Sequence, residues 1–249
     1  MYDRMIGGRE YTFGVSGKLH ANSLIMYDHQ TESLWSHLLG RAVTGKLAGA
    51  NLRVVPALQT TWGVWRSMHP DTLVLHQKRS GIFSSLRDPY ASYYLSGDTG
   101  IVPVQRSDSR VAAKAYVIGV RLGGSVKAYP FPVLNDHPVV NDEVAATPIV
   151  VTFLKGEASG AVFDRRAAGA TLTFEVFRQG SRAGEDGVLQ LRDQQTKSLW
   201  HPLSGKALSG PLAGTRLTLI PTTQSFWFGW VDHYPETAVY APIPKEAGR

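Results

Sequence analysis

Residues 28–75 read DHQTESLWSHLLGRAVTGKLAGANLRVVPALQTTWGVWRSMHPDTLVL, and residues 193–240 read DQQTKSLWHPLSGKALSGPLAGTRLTLIPTTQSFWFGWVDHYPETAVY. They align without a gap at an offset of 165, with 21 of 48 positions identical. A second block, YDRMIGGREYTFGV from Tyr2, matches FDRRAAGATLTFEV from Phe163 at an offset of 161. Self-similarity of this kind marks a repeated structural unit. The chain therefore reads as two tandem copies of a β-rich unit, each with one short helix. The expected division is a first copy at 2–75, a connector at 76–115, a complete second copy at 116–240 and a tail at 241–249. The first copy lacks a counterpart of 116–162 and is expected to be N-terminally incomplete, as a fragment or through a start assigned too late. Half a unit leaves a strand edge unpaired.

Strand signals dominate. LTFEVF, TPIVVTFL, AYVIGVRL and LRVVPAL are β-branched or aromatic runs bounded by turn formers or charges. Gly7-Gly8 and Gly123-Gly124 read as hairpin turns, and Asp28–Ser33 and Asp193–Ser198 as matched turns. Helices are expected at Thr60–Met68 and Ser225–His233, with Thr60 and Ser225 as N-caps. His69-Pro70 and Tyr234-Pro235 stop them. Trp62 and Trp65 share one helix face, as do Trp227 and Trp230. The fold class is mainly β, with α+β as the alternative.

The 249 residues carry 26 Lys and Arg against 20 Asp and Glu, a net charge of +6. The basic residues are scattered, the densest cluster being Gln77-Lys78-Arg79, which argues against a nucleic-acid partner. Cys is absent, which excludes disulfides, thiolate metal sites and cysteine nucleophiles and leaves the compartment open. No apolar run approaches the roughly 18 residues of a membrane span, and MYDRMIGGRE has no signal-peptide core.

Chemistry-bearing patterns are sparse. Gly40 to Lys46 opens like a phosphate loop, but Leu47 stands where the metal-binding hydroxyl belongs, so it reads as a hairpin. GVSGKLHANS is polar and diverges from its duplicate, which makes Ser16, His20, Asn22 and Ser23 candidate ligand-binding residues. Tyr90, Tyr93 and Tyr94 of DPYASYY join them. His137, Asn141 and Asp142 in NDHPVVND form the candidate metal set, since Asp and Asn can orient an imidazole. Trp35 and Trp200, retained in both copies, read as core. The sequence itself requires no cofactor.

YTFGVSGKLHANSLIMYDHQTESLW, LAGANLRVVPALQTTWGVWRSMHPDTLVL, RDPYASYY, VKAYPFPVLNDHPVVNDEV and FDRR together resemble the uncharacterised domain-of-unknown-function family 3179 over nearly the whole chain. The resemblance implies longer proteins, often exported or membrane-anchored, with no established activity. It also implies a W-H-E-x-x-N-D motif and a C-P-x-C-G-like segment before F-D-R. His137, Asn141 and Asp142 match the first, while Asp136 and Pro138 depart from it. Leu154 and Glu157 occupy the two Cys positions of the second.

The leading expectation is a β-rich duplicated module, non-catalytic or catalytically incomplete, serving as a ligand-binding or interaction protein of the cell envelope. Its partner is a small molecule or a protein. The alternatives are a metal- or redox-dependent enzyme whose site lies partly outside this chain, and a carbohydrate-binding module using the six Trp.

Overall fold

The computed structural model describes residues 1–75, 90–180 and 188–242. His76 and the Gln77-Lys78-Arg79 cluster lie outside the described residues, as does the start of the expected connector.

Strands β1 (Met5–Ile6) and β2 (Arg9–Glu10) form a ribbon across the Gly7-Gly8 turn. Strands β3 (Phe13–His20), β4 (Ser23–Asp28), β5 (Leu34–Ser36) and β6 (Arg41–Thr44) follow as an antiparallel meander. Helices α1 (Trp62–Met68) and α2 (Ala91–Leu95) come next. Strands β7 (Tyr116–Leu122) and β8 (Ser125–Pro130) make a hairpin around Gly123-Gly124, which leads into α3 (Phe131–Asp136). Strands β9 (Val139–Val144), β10 (Thr147–Leu154) and β11 (Ser159–Asp164) build an antiparallel sheet, and β12 (Arg166–Ala167) and β13 (Ala170–Thr171) a second ribbon. A second meander contains β14 (Phe174–Gln179), β15 (Val188–Asp193), β16 (Leu199–Trp200) and β17 (Ala207–Ser209). The chain closes with β18 (Thr218–Leu219), β19 (Thr222–Phe226), α4 (Trp227–His233) and β20 (Ala238–Val239). The protein is mainly β, as the strand signals predict.

Both Gly-Gly turns have positive φ at each glycine, +57° and +80° in the first and +52° and +83° in the second. Two consecutive left-handed residues match the twist of the flanking strands.

Four expectations need correction. LRVVPAL is not a strand; its only ladder contact there is the single bridge of Val54 to Tyr2. The stretch 116–240 holds a second helix, α3, where one was expected. The two prolines of YPFPVLND obscure it in sequence, yet Pro132 sits in its first turn, where no donor is needed. The N-caps fall one residue later than expected. Thr61 accepts from Val64 N (3.4 Å), while Thr60 Oγ1 accepts from Ser159 Oγ (3.0 Å). Phe226 caps α4, and Ser225 remains in the β19 ladder opposite Val117. Finally, the connector is not wholly irregular, because α2 forms within it.

The cores are unequal. The second meander closes over β10 and β11 around Val150, Phe163, Leu191 and Trp200, ten buried residues in all. The first meander buries only Trp35, Ala42 and Leu52 together. Leu58, Val64 and Met68, on and before α1, pack on the second meander's core instead.

Helix α4 lies on the β7–β8 hairpin, burying Trp227, Trp230 and Val231 against Val117 and Ala128. Gly119 faces the Trp230 indole so closely that a Cβ there overlaps the ring. Overpacking at such a contact forces backbone or rotamer shifts. Gly119→Ala is expected to lower stability by about 3 kcal/mol in equilibrium urea unfolding. Gly229→Ala, on α4 with open space at its Cβ, is expected to be neutral or to stabilise by up to about 1 kcal/mol.

Candidate functional site

The two matched turns are built alike. Asp28 Oδ2 accepts from Trp35 Nε1 at 2.9 Å, and Asp193 Oδ2 from Trp200 Nε1 at 2.9 Å. Thr31 N and Thr196 N donate to the other carboxylate oxygen. Thr31 and Thr196 hydroxyls meet Ser33 and Ser198 hydroxyls at 2.7 Å in both turns. Ser33 and Ser198 then accept from Leu47 N and Leu212 N. Both aspartates are fully buried. Burial pushes each carboxyl's pKa up, but the indole, threonine and backbone donors together outweigh it and hold both below the usual range. Each carboxylate thus fastens a turn to a core indole and has no capacity left for a ligand.

The candidate ligand-binding residues hold chain segments together. Ser16, at a bulge in β3, donates to Ile25 O and accepts from Lys18 N. Asn22, with φ +58°, donates to Val102 O (2.8 Å) and accepts from Val102 N (2.9 Å). His20 pairs with Ser23 across the hairpin, and its ring meets the edge of His233 at 5.8 Å. Tyr93 OH accepts from Gly100 N (3.0 Å), and Lys114 Nζ sits 4.0 Å from the Tyr93 ring centroid. Tyr93 and Tyr94 both pack on Phe226, while Tyr90 is exposed. Asn22 and Tyr93 therefore converge on Gly100–Val102, and Ser16 lies apart from them at its bulge.

The candidate metal residues do not converge. Asn141 and Asp142 are neighbours on β9 and so point to opposite faces. Asn141 bridges Phe174 N and O at 2.8 and 2.7 Å, tying β9 to β14. Asp142 Oδ2 accepts from Tyr129 OH (2.8 Å) and pairs with Lys127 Nζ (2.6 Å). Burial and the Asp142 charge push the Tyr129 pKa well up, so the phenol stays a donor. His137 caps the end of α3. Among the described residues no group of three His, Asp or Glu side chains comes together to hold a metal.

A cavity of about 670 Å³ opens elsewhere, between the end of α1 and the second meander. Leu58, Met68, Phe163, Leu203, Leu217 and Leu219 make its apolar part, and His69, His201, Lys206 and Arg216 its polar part. His201 Nδ1 accepts from Leu203 N (3.3 Å) and Ser204 N (3.1 Å), which assigns its proton to Nε2. Burial pushes the His201 pKa down, so the ring is neutral at pH 7. Ser67 donates to Val64 O within its own helix. The cavity thus offers apolar surface and hydrogen-bond donors.

Beside it, α1 presents an open aromatic face. Trp62 is 51 % exposed, whereas Trp227, its counterpart at the 165-residue offset, is 0 % exposed. Trp35, Trp200, Trp227 and Trp230 are all fully buried, so of the six Trp only Trp62 and Trp65 can meet a sugar or any other partner. The helix spacing of these two indoles was visible in sequence, but their exposure depends on what packs against them.

Fold and site define a mainly β protein with an open apolar face beside a cavity of about 670 Å³. The chain belongs to the DUF3179 family of proteins of unknown function, whose model matches residues 1–237. Comparison with curated proteins and with solved structures gives no match. Among the described residues no helix is long and apolar enough to cross a membrane.

The buried aspartates make acid stability a test of the turns. A carboxyl whose folded pKa lies below its unfolded value of about 3.9 stabilises fully above that pH. The contribution is lost as pH falls through the folded value. Asp193→Asn is expected to cost about 2–3 kcal/mol at pH 7. Denaturant titrations at pH 7 and pH 2.5 are expected to show the gap from the wild type narrowing at the lower pH.

Proposed function

We propose that this chain is a non-catalytic binding module whose recognition face is the aromatic side of α1 with the adjoining cavity. The chain is read as two copies of one unit, at 2–75 and 116–240, joined by 76–115. The single observation that carries this reading is the contrast between half-exposed Trp62 and fully buried Trp227 at matched positions. Exposed aromatic side chains beside an apolar cavity are the usual makings of an interaction site. The carboxylates and polar residues considered for catalysis or metal binding are engaged in holding strands and turns, which supports binding over chemistry.

The test uses the apolar dye ANS with the folded chain. Saturable, blue-shifted ANS fluorescence is expected, falling at least fivefold in Trp62→Ser at unchanged circular dichroism. Dye binding indifferent to Trp62→Ser overturns the assignment of the face. Stoichiometric zinc or iron binding that His137→Ala abolishes overturns it in favour of a metal protein.

A further inference from the structure

Helix α4 and its flanks define what covers a face of this type. Strand β19 pairs antiparallel with β7, from Thr222 opposite Val120 to Phe226 opposite Tyr116. Strand β20 pairs parallel with β8, Ala238 with Lys127 and Val239 with Ala128. The β7–β8 hairpin is thus held between the segment before α4 and the segment after it. Both indoles of α4 lie on its surface, with Gly119 making room for Trp230. Arg121, two residues further on, lies over the Tyr234 ring and donates to Leu39 O, while Tyr234 OH donates to Leu38 O.

The second indole of α1 is held in the same way, while the first, Trp62, stays half-exposed. Trp65 Nε1 donates to Thr72 Oγ1 at 3.0 Å, as Trp230 Nε1 does to Thr237 Oγ1 at 3.0 Å. His69 N bonds Trp65 O and stacks 4.2 Å from the indole, as Tyr234 N bonds Trp230 O and packs at 4.4 Å. Residues 57–61, the counterpart of β19, are in no strand. Residues 73–75, the counterpart of Ala238–Tyr240, are also in no strand, with Leu73 and Leu75 each 95 % exposed. No described residue supplies a hairpin between them.

The cavities carry the same difference. The space between the hairpin and the first meander, about 340 Å³, is lined by Gly40, Asn51 and Leu52 on one side and by Gly119, Arg121 and Leu122 on the other. The 670 Å³ cavity includes Arg216 and Leu217, the counterparts of Asn51 and Leu52, and no hairpin among the described residues lines it.

We propose that the surface bounded by residues 57–61, the Trp62–Trp65 face and residues 73–75 docks an antiparallel β-hairpin. The hairpin has the pattern of Tyr116–Pro130 and is supplied by a partner polypeptide other than a second copy of this chain. Its first strand runs antiparallel to residues 57–61, and its second parallel to residues 73–75. A glycine faces Trp65, as Gly119 faces Trp230. Alternate side chains give the specificity and main-chain bonds the adhesion, as in other strand additions. This inference rests on the binding face proposed above.

The experiment supplies the hairpin at high local concentration, because an isolated two-stranded hairpin is marginal in water. A copy of residues 115–130 is joined ahead of Met1 of the whole chain through about 20 Gly/Ser residues, a span of roughly 25 Å. The expected result is a melting temperature at least 4 °C higher, with slowed amide exchange at residues 57–61 and 73–75. Placing Leu at the position of Gly119 in the added copy alone is expected to abolish both effects. Unchanged melting and exchange, or protection that survives the Leu copy, overturns the proposal. So does a dimer of the untethered chain that Trp62→Ser dissociates in sedimentation, since a second copy is then the occupant. ANS binding sensitive to Trp62→Ser together with no effect of the tethered hairpin leaves the face intact and removes the hairpin alone. Loss of both removes both.

Discussion

The contact of the Trp230 indole with Gly119 sets the arrangement around α4. An indole is the largest apolar group a short helix can offer, and a helix of seven residues has little stability of its own. It persists because two indoles on one face are removed from water by a sheet. That sheet must be flat at the point of contact, and only glycine leaves the room. The register follows, since β19 enters α4 directly and pairs with the strand that carries the glycine. Sheet, helix and the returning β20 strand are therefore one packing solution.

The Asp–Trp turns act on a smaller scale by a different force. A buried carboxylate is costly unless its lone pairs are occupied. In both turns the indole N–H, a threonine hydroxyl and backbone amides occupy them. Glu32 and Lys197 take the left-handed conformation that closes each turn, at φ +57° and +62°. These two residues differ in charge, which identifies the position as one where the backbone is constrained and the side chain is free.

Much of this was legible in the chain. The matched TESLW and TKSLW segments announced paired turns with core tryptophans, and i, i+3 indoles announced helices with one apolar face. The strand runs were visible because hydrophobic β-branched residues cluster there. What stayed hidden depended on placement. Asn141 and Asp142 look like ligands in a linear motif, yet the alternation of a strand sends them to separate partners. LRVVPAL has strand composition but no strand beside it. The cavity at His201 and Arg216 involves α1, whose docking on the other meander no local pattern encodes.

The imbalance between the cores explains that docking. The buried cluster around Trp35 has three members against ten around Trp200, and the first meander is also secured from outside. Asn22 clasps Val102, Tyr234 and Arg121 bond the carbonyls of Leu38 and Leu39, and Thr60 meets Ser159. Leu58, Val64 and Met68 add apolar area on the second core. These ties use one side of α1 and leave its indoles on the other. Leu58 and Met68 thus serve twice, packing on the second core and lining the cavity beside the open indole face.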